Sequence, residues 1–220
     1  MVQQERARRT RAKIMLGAAE VIRTAGYSNA TLNEIGAAAG VTKGALYFHF
    51  DSKEEIARAL IEEQHRVTRE AATEILQLEL SPVEHMLRLC MDLAVRLTDD
   101  PIVRAGIRLT TDSSTFDTPL IDPYRDWMAT FEELARRADA AGETNGRISP
   151  EVFARTLIPS YTGVQLVSET FTGRTDLVDR IHDLWRVLLS AIIPEEQLDA
   201  KLALADEVFT VKPRRRRKRA

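Results

Sequence analysis

Apolar residues recur along nearly the whole chain with a helical period. In residues 10–25 they fall at Ile14, Ala18, Val21 and Ile22, the spacing of a helix with one buried face. Gly26 closes that segment. Thr31 stands three residues ahead of Glu34, the spacing of a capping box. Gly40 breaks the second segment and Thr42 caps a third. Asp51 and Ser52 precede "KEEIARALIEEQ", where early acids suit the positive end of a helix dipole, and this helix runs to about Leu78. "SP" at 81–82 and "DDP" at 99–101 each open a further helix, with proline in its first turn. "STFDTPLIDP" reads as a long polar loop, followed by a helix from about Pro123 to Ala141. "GETNGR" is a turn, "SPE" at 149–151 starts another helix, and "TGRTD" at 172–176 breaks it. A further helix reaches about Ile193, and Pro194 begins a last amphipathic one. No alternating strand pattern and no internal repeat occurs. The expectation is an all-α chain of about nine or ten helices: a small basic bundle over 1–51, a larger acidic helical body over 52–209, and a disordered basic tail over 210–220.

Charge sharpens that division. The net charge of the 220 residues is only −2. Residues 1–49 nevertheless hold seven Lys/Arg against three Glu, and "KPRRRRKR" at 212–219 holds seven basic residues and no acid. The stretch between is strongly acidic. A basic head and tail on an acidic body point to a polyanion at both ends. The single cysteine, Cys90, excludes an internal disulfide and sits in the apolar run "MLRLCMDLAV", which reads as a core thiol. The N-terminus "MVQQERARRTRAK" lacks the apolar centre of a signal peptide. No stretch approaches the roughly 18 consecutive apolar residues of a membrane helix. These features predict a cytoplasmic protein without a membrane partner.

The stretch "TLNEIGAAAGVTKGALYFHF" at 31–50 carries the candidate chemistry. A helix, a glycine turn and a second short helix make a helix-turn-helix, whose second helix can lie in the DNA major groove. Thr31, Thr42, Lys43 and, past the motif, Lys53 are candidate phosphate contacts. Gly44 costs about 1 kcal/mol in a helix relative to Ala, a cost that fits close approach of the backbone to DNA. Tyr47 and Phe48 can reach thymine methyls, or Tyr47 and His49 can hydrogen-bond phosphates. Phe50 is expected to turn inward. On the residues alone the aromatics fit a core as well as a DNA face, because a small bundle also needs bulky anchors.

"TLNEIGAAAGVTKGALYFHFDSKEEI" resembles the signature of the TetR family of bacterial transcriptional regulators, over roughly a quarter of the chain. That resemblance implies a homodimeric repressor with a DNA-binding head at 1–51 and a ligand-binding and dimerisation body at 52–209, on a pseudo-palindromic operator and relieved by a small molecule. "PIVRAGIRLTTD", "DPYRDWMATFEEL" and "GVQLVSETFTG" are similar to the γ-butyrolactone receptor branch, which controls antibiotic production. The branch implies a tryptophan at the ligand pocket, matched by Trp127, and an effector of γ-butyrolactone, butenolide or furan type. The alternative is a family member that answers to an antibiotic or drug.

The body offers no catalytic pattern. His49, His65, His85 and His182 are far apart, with no H-E-x-x-H, Cys-x-x-Cys or G-x-S-x-G. A ligand site between helices is easier to argue. Trp127 and Phe131 share a helix face, and Tyr161, Val164, Gln165 and Ser168 share another. Gln165 and Ser168 need partners if buried, and a lactone carbonyl would be one. Equally, this helix can be a dimer seam with Gln165 paired across it. Val164, Val167, Leu184, Val187, Leu188, Ala191 and Ile192 on the last two long helices supply apolar surface for such a seam, or else close the core of the monomer.

Overall fold

The computed structural model describes residues 2–111, 116 and 121–210. Among these, ten helices and no strand are present: α1 (Val2–Ala25), α2 (Leu32–Ala39), α3 (Lys43–His49), α4 (Lys53–Leu76), α5 (Pro82–Asp99), α6 (Pro101–Thr111), α7 (Asp122–Ala140), α8 (Pro150–Thr172), α9 (Leu177–Ile192) and α10 (Glu195–Thr210). The basic tail and most of the loop before α7 lie outside the described residues. Helix α1 begins at Val2, well ahead of the start expected at residue 10. Its first turns are Gln, Glu, Arg and Ala, good helix formers that carry no apolar stripe to reveal them. A Glu5–Arg8 ion pair at 3.1 Å spans one of these turns.

The chain forms two compact units, one of residues 1–70 and 99–120, the other of 71–98 and 121–220. The first therefore holds more than the bundle expected over 1–51: it takes in most of α4 and all of α6. Ile14, Ala18, Ile22, Ile35, Leu46 and Phe50 are buried together with Ile56 and Leu60 of α4 and with Ala105 and Leu109 of α6. No local periodicity could show this, because α6 lies fifty residues beyond the helix-turn-helix. The crossings are close. A Cβ on Gly106 of α6 would sit 2.4 Å from the Gln64 Cβ and 3.0 Å from the Leu60 carbonyl oxygen of α4. A Cβ on Gly17 of α1 would meet the Ala39 nitrogen of α2 at 2.7 Å.

In the second unit, Trp185 of α9 is fully buried, with its ring 6.2 Å from that of Phe153 on α8. Cys90 of α5 is buried beside it. Burial pushes the thiol up to about 12. Glu143, in the turn between α7 and α8, accepts from the Val83 N–H at 3.0 Å and from the Lys201 ammonium, so one carboxylate fastens the start of α5 to α10. Burial disfavours its charge, but Lys201, Val83 and Ser81 outweigh that and hold it below the ordinary carboxylate range.

Replacing Gly106 with Ala is expected to destabilise the protein by about 1–3 kcal/mol through overpacking against Gln64. Chemical denaturation checks it, and an unchanged midpoint would contradict the tight α4–α6 crossing.

Candidate nucleic-acid interface and effector region

The local sequence builds α2 and α3 as a rigid pair. The Thr31 hydroxyl accepts from the Glu34 N–H at 3.2 Å, while the Glu34 carboxylate accepts from the Thr31 N–H at 3.0 Å. The capping box read from the sequence is thus present. The Thr31 hydroxyl also donates to that carboxylate at 2.7 Å, which holds Glu34 below its ordinary pKa. Helix α2 ends at Gly40 in the left-handed region, φ 64°, and the Val41 N–H closes on the Gly36 carbonyl at 3.0 Å. Thr42 then caps α3 by accepting from the Ala45 N–H at 3.2 Å.

Helix α3 divides its side chains cleanly. Leu46 and Phe50, four residues apart, are 1% exposed. The Arg11 guanidinium lies 5.0 Å from the Phe50 ring centre and covers it. Phe50 is the inward anchor that the sequence suggested. Tyr47 and Phe48 point the other way, 44% and 79% exposed. The open choice between core and outer face is settled for these two: they are outside. Lys43 is exposed, its ammonium 5.8 Å from the Tyr47 ring centre. His49 is half-buried, edge-on to Phe48 at 5.1 Å. A Cβ on Gly44 would meet nothing within 4 Å, so packing inside the head does not require glycine there.

Lys53 is placed differently from the other candidates. Its ammonium donates to the carbonyls of Tyr27 and Ser28 at 2.9 and 3.1 Å and lies 4.6 Å from the Tyr27 ring centre. It braces the turn between α1 and α2. Phe116 adds to this corner, 6.2 Å from the Tyr27 ring, with the Arg58 guanidinium 4.7 Å from its own.

The six candidate ligand residues lie on α7 and α8 in the second unit. Trp127 is half-buried and Phe131 buried on α7, with ring centres 6.3 Å apart. Tyr161 is buried and donates to the Cys90 carbonyl at 3.0 Å. Val164 is half-buried. Ser168 is fully buried and donates to Asp176 at 2.6 Å. The Gln165 carbonyl oxygen accepts from the Arg174 guanidinium at 2.7 Å, while its amide nitrogen is sealed from solvent with no protein partner. The protein itself therefore supplies the partners that Ser168 and one end of Gln165 need. Arg174 and Asp176 were missed in the sequence because "TGRTD" reads only as a break. Arg174 is 3% exposed with φ 71°, a strained backbone for a non-glycine residue, and its guanidinium pairs with Glu169 at 3.1 Å. Asp176 accepts from Ser168, Thr172 and Arg180, and these hydrogen bonds lower its pKa to about 2.

Of the expected seam residues, Val167 and Val187 are 44% and 69% exposed; Leu166 and Phe171 of α8, which the sequence reading did not single out, are 43% and 75% exposed. Ile192 is buried in the monomer. Among the described residues no helix is long and apolar enough to cross a membrane.

Comparison with known proteins matches two family models: bacterial regulatory proteins, tetR family, over residues 14–60, and a tetracyclin repressor-like C-terminal domain over residues 80–194. The A-factor receptor protein of Streptomyces griseus is 36% identical over 192 residues, 87% of this chain and 67% of that one. A solved γ-butyrolactone receptor (ArpA-like protein) is similar at 32% identity, TM-score 0.82, over 93% of this chain and 98% of its own. The TetR family protein CprB from Streptomyces coelicolor, in complex with its biological operator sequence, is similar at 32% identity, TM-score 0.84, over 94% and 100% of the two chains.

Replacing Lys53 with Gln is expected to lower the melting temperature of the head and to leave the salt dependence of DNA binding unchanged, since its charge is spent on two carbonyls. A salt slope reduced by about one would instead identify Lys53 as a phosphate contact. Asp176 gives a pH prediction. Its lowered pKa stabilises the fold fully above its ordinary value of 3.8, and that contribution is lost as pH falls toward about 2. Asp176→Asn is expected to be less stable at neutral pH and to lack this acid-range component in urea unfolding. Parallel pH profiles for the two proteins would refute the assignment.

Proposed function

This chain belongs to the TetR family of bacterial regulatory proteins, a transcriptional repressor and not an enzyme, and from that premise we propose how it reads DNA and what releases it. A cytoplasmic homodimer places one α3 helix in each of two major-groove half-sites, roughly 34–36 Å or a multiple of that apart. Lys43 and Thr42 lie against phosphates, while Thr31, its hydroxyl held by Glu34, fixes the start of α2 beside them; Gly44 lets the backbone close on the groove, and Tyr47, Phe48 and His49 meet the bases or the adjoining phosphates. The observation that carries this reading is Phe48: a phenylalanine held 79% exposed on a helix whose opposite face is fully buried. Exposed aromatic surface of this kind needs a partner.

The second protomer docks on the exposed Leu166, Val167, Phe171 and Val187 of α8 and α9. The effector is a small signalling molecule of γ-butyrolactone, butenolide or furan type, and the regulated process is antibiotic production. Similarity to a γ-butyrolactone receptor and to the A-factor receptor supports that class. The effector sits beside Trp127 and Phe131, with Tyr161, Val164, Gln165 and Ser168 as its further neighbours. The unpartnered Gln165 amide is the donor available for a lactone or furan oxygen. Binding favours a body state in which α4 is displaced and the heads separate. A preference of about 1–3 kcal/mol for that state changes operator affinity about 5–150-fold.

The test is operator binding to a duplex from the promoter beside the protein's own gene, titrated with a γ-butyrolactone, a butenolide, a furan and a panel of antibiotics. Specific binding abolished by one of the first three is the expected result. Release by an antibiotic alone would identify a drug-responsive regulator, and no specific binding would reject the DNA reading. Trp127→Ala is expected to keep wild-type operator affinity and to need at least tenfold more effector for release.

A further inference from the structure

Helix α1 continues its basic face to the edge of the DNA-reading surface. An open cleft of about 1200 Å³ in the head is walled on one side by α1, through Arg6, Arg9, Thr10 and Lys13, and on the other by Thr42 and Ala45 at the start of α3. The four α1 residues stand at i, i+3, i+4 and i+7, so they form a single line along the helix. Their neighbours are accounted for. Arg8 is paired with Glu5 at 3.1 Å, and Arg11 turns to the Met15 sulfur at 3.4 Å and the Phe50 ring. The Thr10 hydroxyl returns to the Arg6 carbonyl at 3.0 Å. Arg6, Arg9 and Lys13 are exposed and form no ion pair among the described residues. On a chain of net charge −2, where most other arginines among the described residues are held by a nearby acid, three unneutralised cations in one line beside the recognition helix stand apart.

Resting on the reading of α3 as the DNA-reading helix, we propose that Arg6, Arg9 and Lys13 form a second phosphate-contact line. It grips the backbone of the DNA strand flanking the half-site, so the footprint of each head extends past the bases that α3 reads. The dimensions agree. Residues 6 to 13 rise roughly 10 Å along α1 at about 1.5 Å per residue. That is the axial span of about four successive phosphates of one strand at roughly 3.4 Å spacing, enough for one contact from each of the three cations. Contacts of this kind add affinity and register without adding base preference.

The experiment uses the full-length protein and a duplex that the wild type selects from a randomised pool. Affinity is measured across a series of KCl concentrations for the wild type, for Arg6→Gln/Arg9→Gln/Lys13→Gln, and for Arg136→Gln, a single charge loss on α7 to be compared with Arg9→Gln alone. The triple variant is expected to select the same bases, to bind at least tenfold more weakly at moderate salt, and to lose about 0.9 in salt slope per phosphate contact, about 3 per head. Trimming the duplex to its core half-sites should weaken the wild type and leave the triple variant unaffected. Thermal melts confirm that the variants fold, and Arg9→Gln alone should show about a third of the slope change. Equal slopes for wild type and triple variant, or an equal loss for Arg136→Gln, would overturn the proposal while leaving α3 as the reader. Failure of the wild type to select any sequence would overturn both.

Discussion

A seven-residue helix cannot hold itself together in water, because the cost of nucleating a helix is recovered only over many more residues. Helix α3 exists because its two ends and one face are fastened from outside. Thr42 fixes the first turn, Phe50 closes the last, and Leu46 and Phe50 are driven into a core shared with α1, α2, α4 and α6. Everything on the outer face depends on that anchorage. Lys43, Gly44, Tyr47 and Phe48 lie outside the buried face, add little beyond the Lys43–Tyr47 contact to keeping α3 folded, and are therefore open to selection for what they touch. The same logic explains the polar beginning of α1. It has no core to serve, so its side chains are free to serve a partner.

The anchorage also orders the rest of the head. The left-handed Gly40 and the capping box at Thr31 set where α2 stops and starts, and hence where α3 begins. Lys53 holds the far corner by donating to the carbonyls of Tyr27 and Ser28, the first of which also accepts from the Ala30 N–H. Gly17 and Gly106 let two pairs of helices, α1 with α2 and α4 with α6, approach so closely that a single methyl group would push them apart. The head is thus a set of mutually dependent contacts between sequence-distant segments, with little of its stability stored in any one helix.

How legible this was depended on the range of the interaction. Features decided within a turn or two were visible in the sequence: the Thr31–Glu34 box, the breaks at Gly26, Gly40 and Gly173, the prolines opening α5, α6 and α8, and the inward Phe50. Features decided by distant segments were not. The polar first turns of α1 carry no apolar stripe, so its start was placed too late. Helix α6 joins the first unit through Ala105 and Leu109, which no local pattern announces. In the body, Gln165 and Ser168 were recognised as polar residues in need of partners. The partners inside the protein, Arg174 and Asp176, lay in a segment that reads only as a turn. A buried arginine with left-handed backbone is a tertiary product, invisible until the helices around it are placed.

The burial of Cys90 has a practical corollary. The chain contains one sulfhydryl, and it is shut inside the second unit as a neutral thiol, deprotonating only near 12. The molecule offers no nucleophilic sulfur to its surroundings at neutral pH. A reporter group attached through a cysteine introduced at an exposed position of α1 or α3 would therefore mark that position alone. The movement of the two heads on an operator can be followed in the otherwise native protein, with its own cysteine left in place.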